Sequence, residues 1–135
     1  MHIIPKAILL VDDNPDDLAA GQRALAQLEG VQVTSVDNPY AAMDACQDYR
    51  YDLIILDIYL PELSGPKIVS LLSSFGSEGN HCFLFVSGNA ESKLVRHVRK
   101  QGAEVIEKPL RPEHIRAALA GSGHSFEIRQ TEKAR

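Results

Sequence analysis

Little cysteine, no long apolar run and no surplus of basic charge are the first features of this 135-residue chain. Its two cysteines, Cys46 and Cys82, both have apolar neighbours. A disulfide framework is therefore not supported, and buried thiols in a reducing cytosol are expected. The apolar run Ala7 to Val11 is far too short for a signal peptide or a membrane span, and it stops at Asp12 and Asp13. A cytoplasmic setting with no membrane contact is the expectation. The formal net charge is -4, so a nucleic-acid footprint is not expected either. Low-complexity sequence is absent. What remains is a globular composition, 44% hydrophobic and 24% charged, with length for one core and not two.

Short apolar runs alternate with helical patterns. Ala7 to Val11 is followed by Leu18, Gln22, Leu25 and Leu28 at helical spacing, ending before Gly30. Asn14, then Pro15, with Asp17 three on, reads as an N-cap, a proline at the first helical position and an acidic first turn. Val31 to Val36 is a weaker strand, and Asn38-Pro39 opens a second helix. Leu53 to Leu56 is stopped by Asp57, and Ser64-Gly65-Pro66 marks a loop before a helix carrying Ile68, Val69, Leu71 and Leu72. Cys82 to Val86 ends at Ser87-Gly88-Asn89, and a basic helix with Leu94, Val95 and Val98 follows. Glu104 to Glu107 ends at Lys108-Pro109, and a last helix runs from Pro112 to Ala120. Alternation of this kind predicts an α/β domain with a parallel sheet covered on both faces. The domain is expected over residues 6–120, with residues 121–135 a polar tail or linker stub.

In an open parallel sheet, ligands bind beyond the carboxyl ends of the strands. The residues that stop the apolar runs are therefore the candidates: Asp12 and Asp13, Asp57, Ser87 and Lys108. Each alone fits a turn, a cap or a solvated charge. Together they place three carboxylates, a hydroxyl and an ammonium at one edge. Crowded carboxylates need a cation or raised pKa values, and an all-oxygen set favours Mg²⁺. An aspartate can itself be the nucleophile, so metal-assisted phosphoryl transfer onto an aspartate is the chemistry expected. Asp37 also follows a strand, but Asp37-Asn38-Pro39 fits a turn and cap.

These segments resemble the receiver domain of two-component response regulators. The likeness runs through Ile8-Leu9-Leu10-Val11-Asp12-Asp13, Asp57 to Gly65, Val86-Ser87-Gly88 and Gly102 to Pro109. It implies a doubly wound, CheY-like five-stranded sheet in the order 2-1-3-4-5 with five helices. It also implies that Asp57 is the phosphoacceptor, with Ser87 and Lys108 contacting the phosphoryl group. Asp12, Asp13, Asp57 and the backbone carbonyl of Tyr59 would hold Mg²⁺, and the Lys108-Pro109 bond would be cis. Tyr59 and Asn89 would flank the pocket and tune phosphoryl lifetime. The sequence departs from the family pattern at Val105, where an aromatic switch residue is usual; rotation of an aromatic ring cannot occur there.

The resemblance implies a sensor histidine kinase or histidine phosphotransfer protein as donor, docking on the first helix, and an unidentified downstream protein as target. The face made by the fourth helix, fifth strand and fifth helix would serve output or homodimerisation. It carries Lys93, Arg96, Arg99, Lys100, Glu104, Glu107, Arg111 and Arg116, for which a solvated surface is the plainer reading. The five histidines are scattered and read as surface residues. The domain is not expected to be an enzyme beyond its own phosphotransfer and dephosphorylation. Two alternatives stand beside this reading. One is a receiver-like interaction module that works without phosphorylation. The other is an Mg²⁺-dependent phosphatase with an aspartate nucleophile, against which Tyr59 occupies the place of a second aspartate. A flavodoxin-like carrier is disfavoured, because Asp12-Asp13-Asn14-Pro15-Asp16-Asp17 would repel a flavin phosphate.

Overall fold

The computed structural model describes residues 6–74, 82–89 and 91–120. Along them run β1 (Lys6–Val11), α1 (Pro15–Ala26), β2 (Val31–Val36), α2 (Pro39–Asp48), β3 (Leu53–Asp57), α3 (Gly65–Ser74), β4 (Phe83–Ser87), α4 (Lys93–Lys100), β5 (Val105–Glu107) and α5 (Pro112–Ala120). The strands form one parallel sheet in the order β2-β1-β3-β4-β5. The doubly wound architecture and its strand order are as the resemblance implied. Residues 121–135, read as a tail, lie outside the described residues.

Strand side chains point alternately to opposite faces, and the core divides accordingly. Leu9, Val11, Ile54, Leu56, Phe83 and Phe85 face Ala42 and Cys46 of α2, Ile68 and Val69 of α3, and Val95 and Val98 of α4. Ile8, Leu10, Leu53, Ile55, Leu84 and Val86 face Ala24 and Leu25 of α1 and Ile115 and Ala118 of α5. Burial on both faces explains why β1, β3 and β4 read as unbroken apolar runs. β2 is the edge strand, half-buried or exposed throughout, which is why its sequence is mixed.

Boundaries differ from the sequence reading in small ways. α1 ends at Ala26, two residues before Leu28, but the Leu28 N–H still donates to the Leu25 carbonyl (3.1 Å) and its side chain reaches the core. β5 begins at Val105, because Glu104 lies outside the ladder while its carbonyl accepts from Phe85 N–H. The caps are as read. The Asn14 side chain accepts from the N–H groups of Asp16 and Asp17, and Asn38 accepts from Ala41.

Register decides the site. Val11 lies beside Leu56, Asp57 beside Val86, and Ser87 beside Glu107. Asp12, Asp57, Ser87 and Lys108 therefore leave the sheet at one edge.

Candidate functional site

The candidate residues follow from the ends of β1, β3, β4 and β5. Asp12 is 3% exposed and Asp57 7%, while Asp13 next to Asp12 is exposed. One carboxylate oxygen from each of Asp12, Asp13 and Asp57 lies within 4.8 Å of the others. Trans ligands of an octahedral Mg²⁺ with bonds of about 2.1 Å lie roughly 4.2 Å apart, so a small closure of this all-oxygen set would suit a hard divalent ion.

Lys108 leaves β5 by one residue and turns its ammonium into the same space. Its Nζ lies 2.9 Å from Asp12 Oδ2, 2.8 Å from Asp57 Oδ2 and 2.8 Å from Asp17 Oδ2. Its backbone N–H donates to the Ser87 carbonyl (2.9 Å), which fixes the start of the loop against β4. The Lys108-Pro109 bond is cis.

Electrostatics follow from these contacts. Burial pushes the Asp12 carboxyl above its ordinary pKa; the Asn14 N–H and Lys108 pull it down, and repulsion from Asp57 pushes it up. Burial opposes the charge on Lys108, but hydrogen bonds to Asp17, Asp57 and Asp12 outweigh it. Its pKa is raised above that of an ordinary lysine, so the ammonium stays charged.

Asp57 is held as well as paired. Its Oδ1 accepts the Tyr59 N–H (2.9 Å), leaving Oδ2 on Lys108. The chain then passes Gly65, where a Cβ would stand 2.8 Å from Phe85 Cε1 and 3.1 Å from the Asp57 carbonyl oxygen. Gly65 lets the start of α3 lie against the carboxyl end of β3.

Ser87 is fully buried, and its hydroxyl is engaged by its own turn. Ser87 Oγ accepts the Asn89 N–H (3.0 Å) and donates to the Asn89 carbonyl (3.1 Å). Tyr59 is 47% exposed. Val105 is buried, and its carbonyl accepts from Arg99 Nη2 (2.7 Å), which ties α4 to β5.

The structure thus brings Asp12, Asp13, Asp57 and Lys108 together and leaves Ser87 turned to Asn89. Asp37 keeps the turn role read for it, accepting from Asn38 Nδ2 (3.0 Å). One site residue was missed. Asp17 was read only as first-turn acid on α1, yet it is a direct partner of Lys108. The available signal was that α1 starts three residues after Asp12, so its first turn stays at the same sheet edge.

On the α4–β5–α5 face, Lys93, Arg96, Arg99, Lys100, Glu104, Glu107, Arg111 and Arg116 are exposed. Among the described residues no ion pair joins these charges to one another. His97 is exposed and His114 Nδ1 accepts from Arg111 N–H; His2, His81 and His124 lie outside the described residues. Among the described residues no helix is long and apolar enough to cross a membrane.

Known proteins resemble this chain in sequence and fold. The family model for the response regulator receiver domain matches residues 8–120. Sensor histidine kinase GacS of Pseudomonas protegens is 37% identical over 71 residues. That match takes in 53% of this chain but only 8% of the kinase's length. The polar-differentiation response regulator DivK of Brucella anthropi is 29% identical over 108 residues, 79% of this chain and 87% of DivK. The receiver domain of sensor histidine kinase PA1611 of Pseudomonas aeruginosa matches with a TM-score of 0.73 at 25% identity, covering 85% of this chain and 94% of that one. That structure holds a magnesium ion coordinated in its active site cleft. A CheY-like receiver domain from Methylobacillus flagellatus has the same fold, with a TM-score of 0.72 at 24% identity, covering 86% of this chain and 97% of that one.

Proposed function

This chain belongs to the response regulator receiver domain family of two-component signalling, and from that membership we propose that Asp57 is its phosphoacceptor. The family is one of signalling phosphoacceptors rather than of classical enzymes. The observation that carries the proposal is the pairing of Asp57 Oδ2 with the Lys108 ammonium beside two further carboxylates. A carboxylate oxygen of Asp57 attacks the phosphorus of a phosphohistidine on a sensor kinase or phosphotransfer protein. The new P–O bond forms as the P–N bond breaks. The electron pair leaves on the imidazole nitrogen, which takes up a proton. Asp12, Asp13, Asp57 and the Tyr59 carbonyl would hold Mg²⁺, which when bound neutralises charge on the incoming phosphoryl group.

The chain's own residues do the rest. Lys108 stays protonated and redirects the hydrogen bond it donates to the Asp57 carboxylate onto a phosphoryl oxygen. Ser87 exchanges its turn contacts with Asn89 for the phosphoryl group, and that exchange carries the signal to the surface. With valine at position 105, the readout runs through backbone and packing around β4 and β5 instead of ring rotation. The α4–β5–α5 face is the surface proposed to change, for a protein target or a second copy. Residues 6–120 are the receiver, residues 121–135 a tail or linker, and the setting is cytoplasmic.

The test is intact-mass measurement after incubation with Mg²⁺ and a small acyl phosphate. A single phosphate adduct is expected, lost in Asp57→Asn. Absence of an adduct with every donor, kinase included, would favour an interaction module that does not use the phosphoacceptor. Steady turnover of a phosphate ester would favour a phosphatase.

A further inference from the structure

The Lys108 ammonium has three carboxylate partners: it donates to Asp57 and Asp17 and lies 2.9 Å from Asp12 Oδ2 as an ion pair. The three partners differ in what else claims them. Asp12 and Asp57 belong to the oxygen cluster that fits a cation, and Asp57 is the proposed phosphoacceptor. Asp17 is in neither role. Its side chain is 42% exposed, on the first turn of α1.

Asp17 is also held in place. Its N–H donates to Asn14 Oδ1 (3.0 Å), and the Asn14 N–H donates to Asp12 Oδ1 (3.0 Å). Asp12 Oδ2 then returns to Lys108. The contacts close a ring through Asp12, Asn14, Asp17 and Lys108. It joins the end of β1, the start of α1 and the end of β5.

We propose that Asp17 is a positioning residue for Lys108, the one anchor of its ammonium that neither a bound cation nor a phosphoryl group would take away. This rests on the reading of the site as an Mg²⁺-assisted phosphoacceptor. Lys108 competes with a cation for Asp12 and Asp57. Asp17 draws part of the ammonium's hydrogen bonding to itself, which lowers its hold on Asp12 and Asp57 and favours cation uptake there. After phosphorylation, the N–H that faced Asp57 is the one released to the phosphoryl oxygen, while Asp17 keeps the ammonium aimed.

The experiment measures Mg²⁺ affinity by calorimetry for wild type, Asp17→Asn and Asp16→Asn, and for the same changes in a Lys108→Met background. Asp16 sits one residue earlier in the same turn, is exposed, and forms no ion pair with Lys108. Asp16→Asn therefore reports the loss of one charge and one first-turn acid alone. Asp17→Asn is expected to weaken Mg²⁺ binding about three- to tenfold, and Asp16→Asn less than about twofold. In the Lys108→Met background the two changes should have equal effects. The Lys108 ammonium resonance, followed by NMR with Mg²⁺ present, should stay sharp in Asp16→Asn and broaden in Asp17→Asn. If Asp17→Asn matches Asp16→Asn in Mg²⁺ uptake while wild type still forms the phosphate adduct, the assignment to Asp17 fails and the phosphoacceptor reading survives. A large Asp17→Asn effect that persists without Lys108 would overturn it equally. A wild-type protein taking up neither Mg²⁺ nor a phosphoryl group would remove the reading beneath the proposal, and the proposal with it.

Discussion

Tyr59 and Cys46 show how single side chains at different depths set different properties. Tyr59 gives its N–H to Asp57 Oδ1 and is itself about half exposed. As a partial cover it should slow attack of water on the acyl phosphate. Tyr59→Ala is expected to speed loss of the phosphate adduct several-fold in a time course by intact mass; an unchanged rate would refute the role. Cys46 is buried between α2 and the sheet, and burial pushes its thiol from 9.0 up to about 12. A raised folded-state pKa means that the native state holds this proton more tightly than the unfolded chain. The contribution is whole below pH 9.0 and disappears as pH rises to about 12. Urea midpoints should therefore fall across that alkaline range, and fall less steeply in Cys46→Ala.

Elements place these side chains through local rules and one close contact. Asn14 and Asn38 cap α1 and α2, and Ser92 caps α4 by accepting the Val95 N–H (3.2 Å). The first two caps were legible because Asn-Pro is a local signal of helix start. α3 depends instead on Gly65. Adding a methyl there meets Phe85 of β4 and the carbonyl of Asp57. Gly65→Ala is expected to cost about 1–3 kcal/mol in urea unfolding. It should also slow adduct formation, because relief of the overlap moves the end of β3. The crowding was not legible in sequence. Ser64-Gly65-Pro66 reads as a turn with or without a phenylalanine against it. Ser87 is a similar case: its position at the end of β4 was readable, but its engagement by Asn89 depends on how the following turn folds back.

For the whole molecule, a cation bound at the acidic edge would add to stability. Ions that bind the native site and not the unfolded chain stabilise by mass action, about 2.7 kcal/mol at a hundred times the dissociation constant. Millimolar Mg²⁺ is expected to raise the thermal midpoint by several degrees. Asp13→Asn, which removes the exposed member of the cluster, should abolish most of that rise in a calorimetric scan. The net charge of -4 has a local component here, since Asp12, Asp13, Asp16 and Asp17 all lie between β1 and the first turn of α1. Lys108 offsets part of it from the far end of the chain.

By itself the sequence determined the order of elements, the buried strands, the caps of α1 and α2 and the edge of the sheet where the acidic residues and Lys108 gather. Those features follow from short-range periodicity and from residues that stop strands, and both are written along the chain. Asp12, Asp13, Asp57 and Lys108 were legible for that reason. Tertiary structure alone decided which partners Lys108 takes. Its contacts with Asp57 and Asp17 cross 51 and 91 positions, and they depend on side-chain reach between loops. No local pattern distinguishes Asp17 as a cap-turn acid from Asp17 as a lysine anchor. The difference appears only when the end of β5 is folded against the start of α1.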